Sequence, residues 1–176
     1  MKKFILLIMV LYCATPYPAN AQGIDIEIDP IAYIFKGYSM HIGYNSSHIR
    51  YDIGVFGIEV PEWINGNDGF YNYGWGVGAK VDYYMQGTGR GLFAGISGDV
   101  VASRVRWKET GSGETNPVYA VGVTVGYKLP VTNNLYIKPW LNMSYMFDMK
   151  DIYIDGQVFE QSSIRPFPTI HIGWHF

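Results

Sequence analysis

The chain has 176 residues, with 13 Lys and Arg against 15 Asp and Glu, a formal net charge of −2. That near-balance excludes the broadly basic surface that nucleic-acid binding needs, and a single cysteine, Cys13, excludes a disulfide framework or a thiolate metal site. Aromatics at 16% and 21 glycines are both high, and no segment sustains a 3.6-residue apolar period, so the composition favours many short strands over helices.

Lys2 and Lys3 precede an apolar run from Phe4 to Leu11, and Ala19-Asn20-Ala21 then places small residues before Gln22. This is the anatomy of a secretory signal peptide over 1–21, leaving a mature domain over 22–176. Loss of the segment removes Cys13 and two lysines, and moves the formal charge from −2 to −4. The apolar run is too short to span a bilayer as a helix, and nothing downstream approaches about 18 consecutive apolar residues. Tyr12 stands where a lipoprotein signal needs a small residue, which argues against a lipid anchor on Cys13.

The mature sequence alternates. Ile24, Ile26 and Ile28 interleave with Asp25, Glu27 and Asp29, giving a first strand expected to run to about Phe35 and to turn at Lys36-Gly37. Tyr38, Met40, Ile42 and Tyr44 oppose Ser39, His41 and Gly43, and Ile49, Tyr51, Ile53 and Val55 oppose Arg50, Asp52 and Gly54. The next strand carries Tyr71 to Tyr83 on one parity and Asn72, Gly74, Gly76, Gly78, Lys80 and Asp82 on the other. After the Gly87 to Gly91 turn, Leu92 to Ala102 oppose Gly95, Ser97, Asp99 and Ser103. Tyr119 to Leu129 oppose Thr124 and Lys128, with a turn at Pro130 to Asn134. Leu135, Ile137, Pro139, Leu141, Met143, Tyr145 and Phe147 then form a band about 20 Å long at about 3.3 Å per residue, and Pro139 is expected as a bend or ladder gap. The last strand sets Ile170, Ile172, Trp174 and Phe176 against Thr169, His171, Gly173 and His175.

Eight strands is an even number, as a transmembrane barrel requires. The fold class is therefore all-β: an eight-stranded antiparallel transmembrane up-and-down β-barrel. A soluble barrel alternates too, with the apolar parity inside. Here one parity is bulky and uncharged throughout, while the other mixes glycine with both signs of charge. Eight strands leave an interior wide enough only for side chains, so the small and charged parity belongs inside and the bulky one against lipid. With the C-terminus on the inner side, the short connections at Asn45 to Ser47, Gly87 to Gly91 and Pro130 to Asn134 lie on that side. The connections at Lys36-Gly37, Pro61 to Gly69, Lys108 to Asn116 and Met149 to Arg165 then lie outside.

The inward set defines a candidate lumen charge cluster of Arg50, Asp52, Lys80, Asp82, Asp99, Lys128, Lys138 and His171. Arg50 with Asp52, or Lys80 with Asp82, could pair and plug the barrel, below an upper half lined by Gly74, Gly76, Ser97, Gly122 and Ser144. A wet cavity above that plug would make a narrow passive channel. A lipid-modifying hydrolase is another alternative, resting on His41, His48, His171 and His175 in a lipid setting. No histidine stands in an H-x-S pattern. His171 and His175 share a face about 13 Å apart, too far to chelate one ion together. Neither a metal nor another cofactor is expected.

Tyr38-Ser-Met-His-Ile-Gly-Tyr44, Arg50-Tyr-Asp-Ile-Gly-Val-Phe-Gly57, Tyr136-Ile-Lys-Pro-Trp140 and Pro166 through Phe176 carry a resemblance. In them the chain resembles small bacterial outer-membrane barrels of OmpA/OmpX-type architecture, and uncharacterised proteins of the outer membrane protein β-barrel domain type. The resemblance implies a multi-pass outer-membrane location with lipid and lipopolysaccharide around a monomeric barrel. It also implies that Trp174 and the terminal Phe176 form the assembly signal recognised by the barrel-assembly machinery. It implies location and fold rather than an activity and carries over no catalytic residue; the filled polar lumen and long outer connections point to a structural or surface-interaction role.

Overall fold

The structure is a computed structural model that describes residues 22–176. The expected signal peptide over 1–21 lies outside them. Eight strands close into an antiparallel barrel: β1 (Gly23–Ile28), β2 (Tyr38–Ser46), β3 (Ile49–Glu59), β4 (Phe70–Tyr84), β5 (Gly91–Trp107), β6 (Gly113–Pro130), β7 (Leu135–Met146) and β10 (Ile164–His175). Each pairs with its chain neighbour, and β1 pairs with β10 to close the ring. A separate hairpin of β8 (Ile152–Ile154) and β9 (Gln157–Phe159) sits in the last long connection. Two short helices, α1 (Pro30–Ile34) and α2 (Glu62–Asn65), occupy other connections on that same side.

Exposure follows the expected parity. Ile53, Val77, Ile96, Val123 and Met143 lie on the outer surface, while Arg50, Lys80, Thr124, Lys138 and His171 are buried in the lumen. Tyr44, Tyr51, Tyr83 and Trp174 ring one end of the outer face, and Trp75, Tyr119 and Tyr145 the other, as interfacial girdles do. The β6–β7 ladder skips Tyr127 and Lys128, which stand opposite Pro139 and Lys138. Proline has no N–H to give there, so the expected gap falls at Pro139.

Three boundaries differ from expectation. The first strand stops at Ile28 instead of Phe35, because Asp29 accepts a hydrogen bond from the Ile31 N–H and Pro30 takes the first helical position, starting α1. The connection before β2 is thus α1 and its exit, not a Lys36-Gly37 hairpin turn. The expected Lys108 to Asn116 loop shrinks to a tight turn, since β5 reaches Trp107 and β6 begins at Gly113.

The early end of β1 leaves a seam in the wall. β10 pairs with β1 only from His175 to Ile172, yet it continues to Ile164. Its even-numbered backbone groups face β1, as the Phe176 N–H to Ile24 carbonyl bond shows, and its odd-numbered ones face β7. Pro166 and Pro168 are even-numbered, so the exposed edge lacks donors there, and Ser162 Oγ bonds both the N–H and the carbonyl of Ile164. The edge is thereby blunted against further strand pairing. Helix α1 covers it, touching β10, β2 and β3.

Candidate functional site: a packed lumen and a tied outer rim

Arg50, on β3, reaches over Gly43 of β2 to β1. Its Nη2 lies 2.6 Å from Asp25 Oδ1 and 3.2 Å from Glu27 Oε1, and its Nη1 lies 2.8 Å from Asp52 Oδ2. Glu27 is the second hub: its Oε2 lies 2.6 Å from Lys138 Nζ and 2.7 Å from His171 Nδ1, and its Oε1 accepts from the Tyr136 hydroxyl at 2.8 Å. Asp52 Oδ1 faces Lys80 Nζ at 3.4 Å and His41 Nδ1 at 2.9 Å. Lys128 Nζ donates to the Thr88 carbonyl and lies 3.7 Å from Asp25 Oδ2, and Asp82 accepts from Thr124 Oγ1 at 3.0 Å. Asp25, Glu27, Asp52 and Asp82 thus balance Arg50, Lys80, Lys128 and Lys138. All eight are at most 6% exposed, a burial tolerable only because each charge has partners.

Aromatic rings complete the packing. Lys80 Nζ sits 4.1 Å over the Trp140 ring and Lys128 Nζ 3.9 Å over Tyr136, both cation–π contacts in a desolvated setting. Inward glycines make room for these side chains. A Cβ at Gly43 would collide with the Arg50 guanidinium and the Asp25 carboxylate, and one at Gly54 with the His41 ring. Gly43→Val should therefore cost about 1 to 3 kcal/mol by overpacking. Urea unfolding from lipid vesicles, followed by tryptophan fluorescence, measures that loss.

Most of the expected lumen cluster comes together, with two changes. Lys80 meets Asp52 rather than Asp82, because register sets Asp52 directly opposite Lys80 and Asp82 opposite Arg50. Asp99 is half-buried one row above and makes no ion pair within 4.0 Å among the described residues. Asp25 and Glu27, absent from that cluster, are its hubs. Their signal was the Ile24 to Asp29 alternation, which placed both inward. His41 joins them, its ring 4.8 Å from that of His171, whereas His48 lies at the rim with Nδ1 2.7 Å from the Tyr84 carbonyl oxygen. Trp174 and Phe176 are exposed on the outer face at the lower girdle.

The upper lumen is more apolar than expected. Val118, Ala120 and Met146 form a small buried cluster with Val101 and Met149, beside the half-buried Gly74, Gly76, Gly122 and Ser144. Ser97 and Asn142 hydrogen-bond across the layer between this cluster and the charges. At the mouth, Ile152, Ile154 and Phe159 of the β8–β9 hairpin pack on Phe70, Val105 and Trp107, covering the inward face of the β4 and β5 tops.

The outer connections are tied to one another. Asn67 Nδ2 donates to the Glu160 carbonyl and its Oδ1 accepts from the Glu160 N–H, while Thr110 Oγ1 donates to Asp155 in the β8–β9 turn. Lys108 Nζ donates to Glu62 at 2.6 Å and holds that carboxyl below its ordinary range.

No protein-family model matches the chain, and no curated protein does. Solved structures do. The chain is similar to Neisserial surface protein A, with a TM-score of 0.50 and 18% identity over 87% of this chain and 94% of that one. It is also similar to the N-terminal β-barrel domain of Pseudomonas aeruginosa OprF, with a TM-score of 0.51 and 13% identity over 88% of this chain and 98% of that one. The fold is that of small eight-stranded outer-membrane barrels.

Proposed function

We propose that this chain is a monomeric bacterial outer-membrane barrel that acts through its surface, with a structural or surface-interaction role and a lumen closed to solutes. One observation carries the reading: the outer face is apolar between two aromatic girdles, while the lumen holds a neutral, buried ion network beneath a hairpin-covered mouth. A soluble barrel would invert that pattern. The tied outer connections support a fixed extracellular platform, on which Trp63, Tyr153 and Val158 stand exposed to a partner. Membrane fractionation followed by gel migration with and without boiling tests the reading. A band in the outer-membrane fraction that runs compact before heating is expected, and a soluble periplasmic protein would overturn it.

Insertion follows from the closing seam. Phe176 donates its N–H to Ile24 at the last rung joining β10 to β1, beside Trp174 on the lower girdle. This strand is the segment proposed to engage the barrel-assembly machinery. Phe176→Ala should lower the folded, heat-modifiable fraction in the outer membrane, whereas Phe167→Ala, on the lumen parity, should lower it less. Quantitative blotting of both forms reads the difference.

A further inference from the structure

Among the described residues the outer face carries no charge between its girdles, and two cations stand together above the upper one. Strands tilted about 40° climb roughly 2.5 Å per residue along the membrane normal, so Leu92 to Ala102 of β5 spans the roughly 25 Å apolar band. Arg104 and Arg106 follow on the same outward parity, at headgroup height. Arg104 is level with Tyr73 of β4 and Arg106 with Tyr71. On the β6 side their neighbours are Thr115 and Gly113.

The chemistry of this patch is one-sided. Arg104 Nε donates to Thr115 Oγ1 at 3.3 Å, and its guanidinium lies 5.3 Å from the Trp75 ring. Arg106 is exposed and has no side-chain partner among the described residues. Among the described residues neither guanidinium makes an ion pair within 4.0 Å. The nearest outward acid at this level, Glu59, is two strands away and is already held by Lys36 Nζ at 3.1 Å. Glu114, the next residue but one from Asn116 on β6, has the lumen parity and accepts from Asn116 Nδ2. Gly113 opposite Arg106 matters too, because a Cβ there would collide with the Arg106 side chain.

We propose that Arg104 and Arg106, with Thr115 and Tyr73 beside Arg104 and Trp75 below it, bind the phosphorylated glycolipid headgroup of the outer leaflet, the lipid A class, against the β4–β5–β6 face. The proposal rests on the outer-membrane reading above and adds a site to it. Two arginines on one strand face, with Cα atoms about 7 Å apart, present planar donor forks to phosphate oxygens, while the girdle aromatics below pack the first acyl carbons. Two cations with no ion-pair partner among the described residues supply the charge complementarity.

Native mass spectrometry of the folded protein in detergent, incubated with bis-phosphorylated lipid A or with its dephosphorylated form, tests this. The wild type should retain the phosphorylated lipid, and Arg104→Gln/Arg106→Gln should retain about tenfold less, the factor expected for loss of a charge-assisted contact. Dephosphorylated lipid should bind the wild type as weakly as the phosphorylated lipid binds the double variant. Arg106→Gln alone, which removes no bond within the protein, should move retention in the same direction and keeps the test decisive if the double variant does not fold. Lys36→Gln, a cation already paired, should leave retention unchanged. Equal retention by wild type and the arginine variants overturns the site. Displacement of the lipid by excess inorganic phosphate also overturns it, because it reassigns the pair to free phosphate. Failure of the wild type to show heat-modifiable migration would instead remove the outer-membrane reading itself.

Discussion

Arg50→Ala should destabilise the folded barrel by about 3 to 5 kcal/mol, a large share of the stability of a domain this size. The guanidinium is fully buried and contacts Asp25, Glu27 and Asp52, so its removal leaves three buried carboxylates with Lys80, Lys128 and Lys138 as the only lysines against them and with the weaker contacts of Asn45, His41, His171 and Tyr136. Breaking a buried pair by deleting one partner costs far more than the pair contributes over an apolar replacement. Reversible urea titration in lipid vesicles measures the difference. A loss under about 1 kcal/mol would show that water reaches those carboxylates and that the lumen is wet.

Val123→Arg should cost about 2 to 4 kcal/mol in the same assay, because Val123 is exposed on the outer face near the middle of the apolar band. The comparison is Ser144→Asn, one row away on the inward parity and half-buried, where the added amide meets the Asn142 side chain that already bonds Ser144 Oγ. That change should cost under about 1 kcal/mol. Thr124, adjacent to Val123 in sequence, is the wrong control. It is 1% exposed and bonded to Asp82, so an arginine there would overpack the lumen. If Ser144→Asn were the more damaging, the inward and outward faces of every strand would be exchanged.

The strands and their faces were legible because a period of two is a local signal: Leu135 through Met146 needs no partner to show which residues share a side. Ion partners were not, since they depend on register between strands. Lys80 finds Asp52 across the β3–β4 ladder and not Asp82 beside it, and Glu27 draws Lys138, His171 and Tyr136 from strands more than 100 residues away. Two local signals were present and outweighed by longer patterns. Asp29-Pro30 is a helix start, hidden by the apolar residues that continue to Phe35. Asp155-Gly156, with φ of 52° and 81°, is a hairpin turn between short apolar runs, hidden inside a long connection. The apolar cluster of Val101, Val118 and Met146 escaped for another reason. Inward residues of a barrel top pack on one another only once the strands outgrow the membrane, and β5 and β6 extend further than their alternation alone indicated.

Single-channel recording in planar bilayers, with protein shown to be folded by its heat-modifiable migration, tests the closed lumen most directly. On the proposed reading, the neutral network around Arg50 and Glu27, the apolar cluster above it and the hairpin at the mouth close the lumen to ions, so no conductance steps are expected. Stable, reproducible steps from the wild-type protein would contradict a filled lumen and make the barrel a channel.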